Sequence, residues 1–136
     1  MKTSTRTAIV TGGASGIGKA IVERLARDGI AVAVADKDEK QAAEVASNIQ
    51  NGSQIMSVGV DVSDRTSVEN MIELSHKRLG SLDILICNAG IMDRAPFMEM
   101  EENFWDNVLN TNLGGVFRCS QVAARYMIAG SRGGRI

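Results

Sequence analysis

The sequence predicts an α/β protein built on a doubly wound parallel sheet with helices on both faces. Three observations carry this. Short β-branched apolar runs alternate with amphipathic stretches of helical period, in the order βαβαβαβα, a pattern that requires parallel strands joined by crossover helices. Right-handed crossovers restrict such an alternation to the doubly wound type. The chain has 136 residues without a repeat, a low-complexity tract or a linker, so one core and one domain over residues 1–136 are expected.

The elements follow in order. "TAIVT" (7–11) is a buried strand, and "GKAIVERLARDG" (18–29) a helix with Ala20, Ile21, Leu25 and Ala26 on its apolar side, closed by a glycine. "AVAVA" (31–35) is the second strand, and "DEKQAAEVASNIQNG" (38–52) an amphipathic helix of good formers closed by Asn-Gly. "QIMSVGV" (54–60) is the third strand. "SDRTSVENMIELSHKRLG" (63–80) is a helix with Ser63 or Asp64 as N-cap and Val68, Met71, Ile72 and Leu79 on one side. "LDILICN" (82–88) is the fourth strand. A loop with the only proline, Pro96, leads into one long helical stretch from about Glu101 to Ile128.

Composition excludes several classes. A net charge of -1 with 44% apolar residues argues against disorder and against a basic nucleic-acid surface. The start, "MKTSTRTAIVTGG", has no long apolar core and no small-residue cleavage site, and no stretch reaches the roughly 18 apolar residues that span a membrane. Cys87 and Cys119 fit neither a metal spacing nor a disulfide framework. They read as small buried hydrophobes, and a reducing cytoplasm is expected, with no metal, nucleic-acid or membrane partner.

The turn after the first strand points to a ligand. Gly12, Gly16 and Gly18 lie where a strand passes into a helix. A tight turn there aims free backbone N–H groups and a helix N-terminus at one point, which attracts an anion that a side chain would block. A dinucleotide pyrophosphate is the expected guest, because acidic Asp36 stands at the end of the second strand, the distance at which an acid meets ribose hydroxyls. The competing reading is a tight turn without a ligand and a turn acid at Asp36. A carboxylate accepts from both ribose hydroxyls and repels a 2′-phosphate. Ser15 is neutral where a basic residue would help bind that phosphate, and Lys37, at a strand end, is expected to be solvated. NAD is favoured over NADP.

The spacing of "TGGASGIG", Thr11 to Gly18, resembles that of the short-chain dehydrogenase/reductase family. "GVDVSD" (59–64), "CNAG" (87–90, with Cys87 in place of the family's first Asn) and "NTNLGGVF" (110–117) are similar to three further family motifs in the same order. The resemblance implies a Rossmann-like, three-layer α/β/α fold. It implies that Gly12, Gly16, Ile17 and Gly18 form the pyrophosphate turn with Ser15 on the ribose side, that Asp36 binds the adenine ribose, and that Asp61 and Val62 hold the adenine. Asn88, Ala89 and Gly90 would back the cofactor. Asn112 would kink its helix and take the catalytic-support role of holding a water in a proton relay. Read without the motifs, Asp61 is a strand-end or capping acid and Asn88-Ala89-Gly90 a turn; Asn110, Asn112, Gly114 and Gly115 together make a weak helix that favours a kink.

The family's Ser and Tyr-x-x-x-Lys are not recognisable. Tyr126 has Gly130 four residues on and reads as a packing residue, and His76, between Ser75 and Lys77, reads as solvated. The resemblance implies that the sheet is truncated near the start of the fifth strand, at "SRGGRI", which would leave the fourth strand as an exposed apolar edge. The expected function is a cofactor-binding half of an NAD(P)-dependent oxidoreductase acting on a small-molecule alcohol or carbonyl compound, paired through the last helix as a homo-dimer or homo-tetramer. The rival readings are a non-enzymatic dinucleotide-binding module, an inactive truncated product, and an interaction protein without a ligand.

Overall fold

A computed structural model describes residues 5–92 and 94–136. Four parallel strands, β1 (Thr7–Thr11), β2 (Ala31–Asp36), β3 (Ile55–Gly59) and β4 (Ile84–Cys87), form one sheet in the order β3-β2-β1-β4. Ala8 lies opposite Val32 on one side and opposite Ile84 on the other. β1 and β2 are buried along their length except for half-exposed Asp36, as strands covered on both faces must be.

The alternation of side chains sorts the core into two layers. Ala8, Val10, Val32 and Val34 point to one face, covered by α1 (Gly16–Arg27) and α2 (Glu39–Asn48) through Val22, Ala42 and Val45. Ile9, Ala33, Ala35 and Leu85 point to the other, covered by α3 (Arg65–Leu79) through Met71 and Ile72 and by α5 (Gly114–Ala129) through Cys119, Val122 and Ala123. The Rossmann-like three-layer architecture is therefore as expected.

The departures have local causes. α1 starts inside the glycine turn, two residues before the expected Gly18. α2 stops at Asn48, short of Gly52, because Ile49 takes an extended conformation and packs into the α1 and α2 layer. The single stretch expected from Glu101 to Ile128 is two helices, α4 (Glu102–Asn112) and α5, broken at Leu113. The break lets α5 approach the loop after β3: a Cβ on Gly115 would stand 2.8 Å from Val62 Cγ2. Arg118 bridges it, donating to Asn110 O at 3.0 Å and to Val62 O at 3.3 Å and also to the Asn110 side chain. His76 is not simply solvated. It packs on Tyr126 with ring centroids 5.0 Å apart, and Cys87 is half-buried whereas Cys119 is buried.

The outer edge of β4 is not bare. Leu85 N–H donates to Arg135 O at 2.9 Å and Arg135 N–H to Asp83 O at 3.0 Å, the first rung of a further parallel pairing. Asp83 anchors that segment from the far end of the sheet, pairing with Arg132 at 3.1 Å while it accepts from Thr7 N–H at 2.9 Å. Among the described residues, no helix is long and apolar enough to cross a membrane.

Candidate functional site

Strand order reverses between β1 and β4, and a cleft of about 700 Å³ opens over the C-terminal ends of the strands there, where doubly wound sheets bind ligands. Gly12, Ser15, Gly16 and Ile17 line one wall, Asp36, Asp61 and Val62 another, and Asn88, Ala89 and Gly90 the floor near β4. Gly18 and Asn112 lie outside the lining.

The glycines of the turn do different things. Gly16 has φ +51° and open space around a hypothetical Cβ, so it supplies a left-handed backbone and leaves room in the cleft. Gly18 supplies closeness: its Cβ would overlap Gly12 O and stand 2.8 Å from the carbonyl carbon. Its place is beneath the turn, seating α1 on it. Ser15 is the N-cap of α1, yet its side chain caps nothing. In α2 and α3, by contrast, Asp38 accepts from Gln41 N–H and Asp64 from Ser67 N–H. The first N–H groups of α1 thus face the cleft without a side-chain acceptor, the arrangement that binds an anion.

Thr11 and Asn88 hold the turn against β4. Thr11 Oγ1 accepts from the Asn88 and Ala89 N–H groups, each at 3.1 Å. The Asn88 amide donates to Thr11 O and Gly12 O, each at 3.1 Å. Asn112 clamps the next stretch of loop: its amide donates to Ile91 O and its carbonyl accepts from Ile91 N–H, both at 2.8 Å. This pairing at the end of α4 ties the cleft floor to the helix break.

The acids at the other end are prepared for donors. Asp36 accepts from Ala14 N–H at 3.0 Å through one oxygen and from Asp38 N–H at 3.1 Å through the other, which leaves lone pairs on both oxygens for hydroxyls. Asp61 accepts the Ser63 hydroxyl at 2.5 Å and the Ser63 N–H at 2.9 Å on one oxygen, and Lys37 Nζ lies 2.9 Å from the other. Lys37 is 81% exposed, solvated as expected, and is paired with Asp61 as well. The Ser63 hydroxyl first, and Lys37 after it, hold the Asp61 carboxyl down at about 2. A depressed pKa contributes stability above the ordinary carboxylate value of about 3.9 that is lost as pH falls toward 2. The Asp61 side-chain carbon signal should accordingly stay at its ionised position in an NMR titration from pH 5 down to pH 3; a midpoint near 4 would mean that the Ser63 and Lys37 contacts do not form.

Sequence reasoning missed Ser63, Asn107 and Thr111, which also line the cleft. The Asp61-x-Ser63 spacing, an Asx-turn pattern, was the available signal for the first; nothing local marks the other two.

The fold and this cleft define a Rossmann-like α/β architecture with a glycine turn and an uncapped helix N-terminus at its switch point. The chain belongs to the short-chain dehydrogenase family, whose model matches residues 6–136. It is 38% identical over 133 residues to 3beta-hydroxysteroid dehydrogenase 2 of Eggerthella lenta, covering 96% of this chain and 51% of that protein. It is 38% identical over 136 residues to sorbitol dehydrogenase of Cereibacter sphaeroides, covering 100% and 52%. The crystal structure of a short-chain type dehydrogenase/reductase from Mycobacterium marinum superposes with a TM-score of 0.92 at 33% identity, over 96% of this chain and 53% of that one. An alcohol dehydrogenase from Thermococcus sibiricus complexed with 5-hydroxy-NADP superposes with a TM-score of 0.87 at 29% identity, over 90% and 53%. The chain spans about half the length of the curated relatives it matches.

Proposed function

We propose that this chain is the dinucleotide-binding part of a short-chain oxidoreductase that moves a hydride between nicotinamide C4 and a secondary alcohol or ketone. One observation carries the reading: a single cleft has the uncapped N-terminus of α1 at one wall and a hydroxyl-ready carboxylate, Asp36, at another. A pyrophosphate fits the first and a ribose the second. When bound, the nicotinamide supplies the hydride chemistry. The protein's own residues bind and orient: Gly12, Gly16 and Ile17 receive the phosphates, with Ser15 on the ribose side and Gly18 supporting the turn from below. Asp36 takes the ribose hydroxyls, Asp61 and Val62 border the adenine, and Asn88, Ala89 and Gly90 form the floor. Asn112, clamped to Ile91, acts as a positioning residue for that floor and for the water of a proton relay. The family relationship supports NAD or NADP, and the Asp36 carboxylate, which makes no ion pair among the described residues, favours NAD on charge grounds.

The test is equilibrium binding of both dinucleotides by calorimetry. The unaltered protein is expected to prefer NAD. Asp36→Ala is expected to weaken NAD binding about tenfold, the size of one lost charge-assisted hydrogen bond, and to bring NADP closer to it. An unchanged preference would remove Asp36 from the ribose, and no binding of either dinucleotide would remove the whole reading.

The surface supports self-association as part of this proposal. Trp105, Leu113 and Phe117 on and between α4 and α5 are 57%, 66% and 58% exposed, an apolar run of the kind that subunits cover. A homo-dimer or homo-tetramer paired through these helices is the arrangement we propose.

A further inference from the structure

The structure assigns Cys87 and Cys119 as a peroxide-reactive thiol pair: a hydroperoxide oxidises Cys87, and Cys119 then closes a disulfide that staples β4 to α5. The sequence spacing of the two cysteines marks no pair; the packing of α5 on the sheet makes one. Side chains alternate along β4, so Cys87 shares the face of Leu85 and points into the layer that α3 and α5 cover. Cys119 lies on α5 in that same layer and is 1% exposed. Ser120, the next residue, places its Oγ 3.9 Å from Cys87 Sγ, and the Cys119 thiol is itself within hydrogen-bonding reach of the Cys87 sulfur. Both cysteines are free thiols.

The two have unequal roles. Cys87 is half-buried and Cys119 buried, so a small oxidant meets Cys87 first. Cys119 above all, and the Ser120 hydroxyl to a lesser degree, hold the Cys87 thiol below the usual cysteine range against the opposing pull of burial. Cys119 is pushed up, by the same contact and by burial, and remains the thiol. The thiolate is the nucleophile. Cys87 sulfur attacks one oxygen of hydrogen peroxide, the O–O bond breaks, and the departing hydroxide takes up the proton that Cys87 released. Cys87 is then a sulfenic acid. Cys119 sulfur attacks the Cys87 sulfur, the S–O bond breaks, and the hydroxide leaves with the Cys119 proton as a second water. Two thiols have lost two electrons and the peroxide has gained them.

Neither cysteine lines the cleft, so the staple does not block it. It closes the chain between β4 and α5, which carries the Ile91–Asn112 clamp and α4. Closing such a loop restricts the unfolded chain and stabilises the folded one.

The experiment treats the unaltered protein with hydrogen peroxide, blocks the remaining thiols, digests with trypsin without reductant and maps the peptides. Cleavage after Arg78, Arg94, Arg118 and Arg125 puts Cys87 in residues 79–94 and Cys119 in residues 119–125, so the bond is read as one linked peptide pair. The linked pair is expected as the main cysteine product within a single chain. The oxidised protein should unfold at a higher urea midpoint, and dithiothreitol, which reverses a disulfide but not methionine sulfoxide, should return it to the starting value. Cys119→Ala is expected to stop at a sulfenic acid on Cys87 that dimedone captures, and Cys119→Val repeats the measurement if the Ala variant folds poorly. Cys87→Ala should leave Cys119 unmodified at the same peroxide dose. Linked peptides found only between two copies would overturn the proposal, as would oxidation of Cys87 to sulfinic acid without a linked pair. So would a Cys119 that reacts as fast in Cys87→Ala as in the unaltered protein, or two cysteines inert to peroxide. A midpoint unchanged or lowered by the bond would overturn the staple.

Discussion

Gly18→Ala is expected to lower the stability of the protein by about 3 kcal/mol, the upper part of the range for forcing a carbon into a filled site. The sign is what makes the prediction sharp. Gly18 lies within α1, and replacing a helical glycine by alanine ordinarily stabilises by up to about 1 kcal/mol. Here the new Cβ would overlap Gly12 O and stand 2.5 Å from Asn88 Nδ2. A backbone carbonyl cannot swing aside as a flexible side chain can. α1 would have to lift off the turn or the turn would have to open, and both disturb the hydrogen bonds of Asn88 to Thr11 O and Gly12 O. The midpoint of urea unfolding measures the effect; an unchanged or raised midpoint would mean that α1 does not sit on the Gly12 carbonyl. Gly16→Val should behave oppositely. It has open space and φ +51°, so it costs about 1–2 kcal/mol in backbone strain, and its larger effect is a side chain in the anion position and loss of dinucleotide binding.

The two glycines show where a sequence stops being informative. That glycine is required at both positions is written in "TGGASGIG". That one serves a backbone angle and the other the close approach of a carbonyl is not, because the second reason depends on how a helix packs on its own preceding turn. The strands are legible to within two residues at either end, since β-branched apolar runs buried on both faces leave a continuous signal. The break between α4 and α5 is legible as weakness, through Asn110, Asn112, Gly114 and Gly115, but its place at Leu113 is set by the approach of Gly115 to Val62, which lies more than fifty residues earlier. The pairing of Lys37 is hidden for the same reason: its partner Asp61 stands on the loop after the neighbouring strand, and only the β2–β3 pairing brings them together. The clamp of Asn112 on Ile91 and the pairing of Arg135 with β4 are likewise long-range contacts that no local pattern announces.

Asn88→Asp is the second large effect, and it tests the same junction by charge rather than by volume. The Asn88 amide donates to two carbonyls, Thr11 O and Gly12 O, at 3.1 Å each, and two acceptors on one nitrogen fix which end of the side chain faces them. A carboxylate has the same shape and no donor. At neutral pH it would set a negative oxygen against two carbonyl oxygens in a half-buried position, and the loss of both bonds together with the repulsion is expected to cost about 3 kcal/mol. The cost should depend on pH in one direction. Only the protonated acid can donate to a carbonyl, so the folded state raises the pKa of the introduced group above its unfolded value of about 3.9. Such a group binds more protons folded than unfolded between those two values, so stability falls as pH rises through them. Compared with the unaltered protein, the variant should therefore be only slightly destabilised near pH 4 and fully destabilised by pH 8. Asn88→Ala, which removes both donors but introduces no titrating group, should show a loss that does not vary over the same range. A pH-independent deficit in Asn88→Asp, measured by urea unfolding at each pH, would mean that the amide does not lie between the two carbonyls. The junction matters beyond stability because Gly12 belongs to the cleft wall. If the cleft takes a dinucleotide as proposed, an acid at position 88 that loosens it should weaken that binding most at the pH where unfolding is easiest, because one amide group ties the glycine turn to β4.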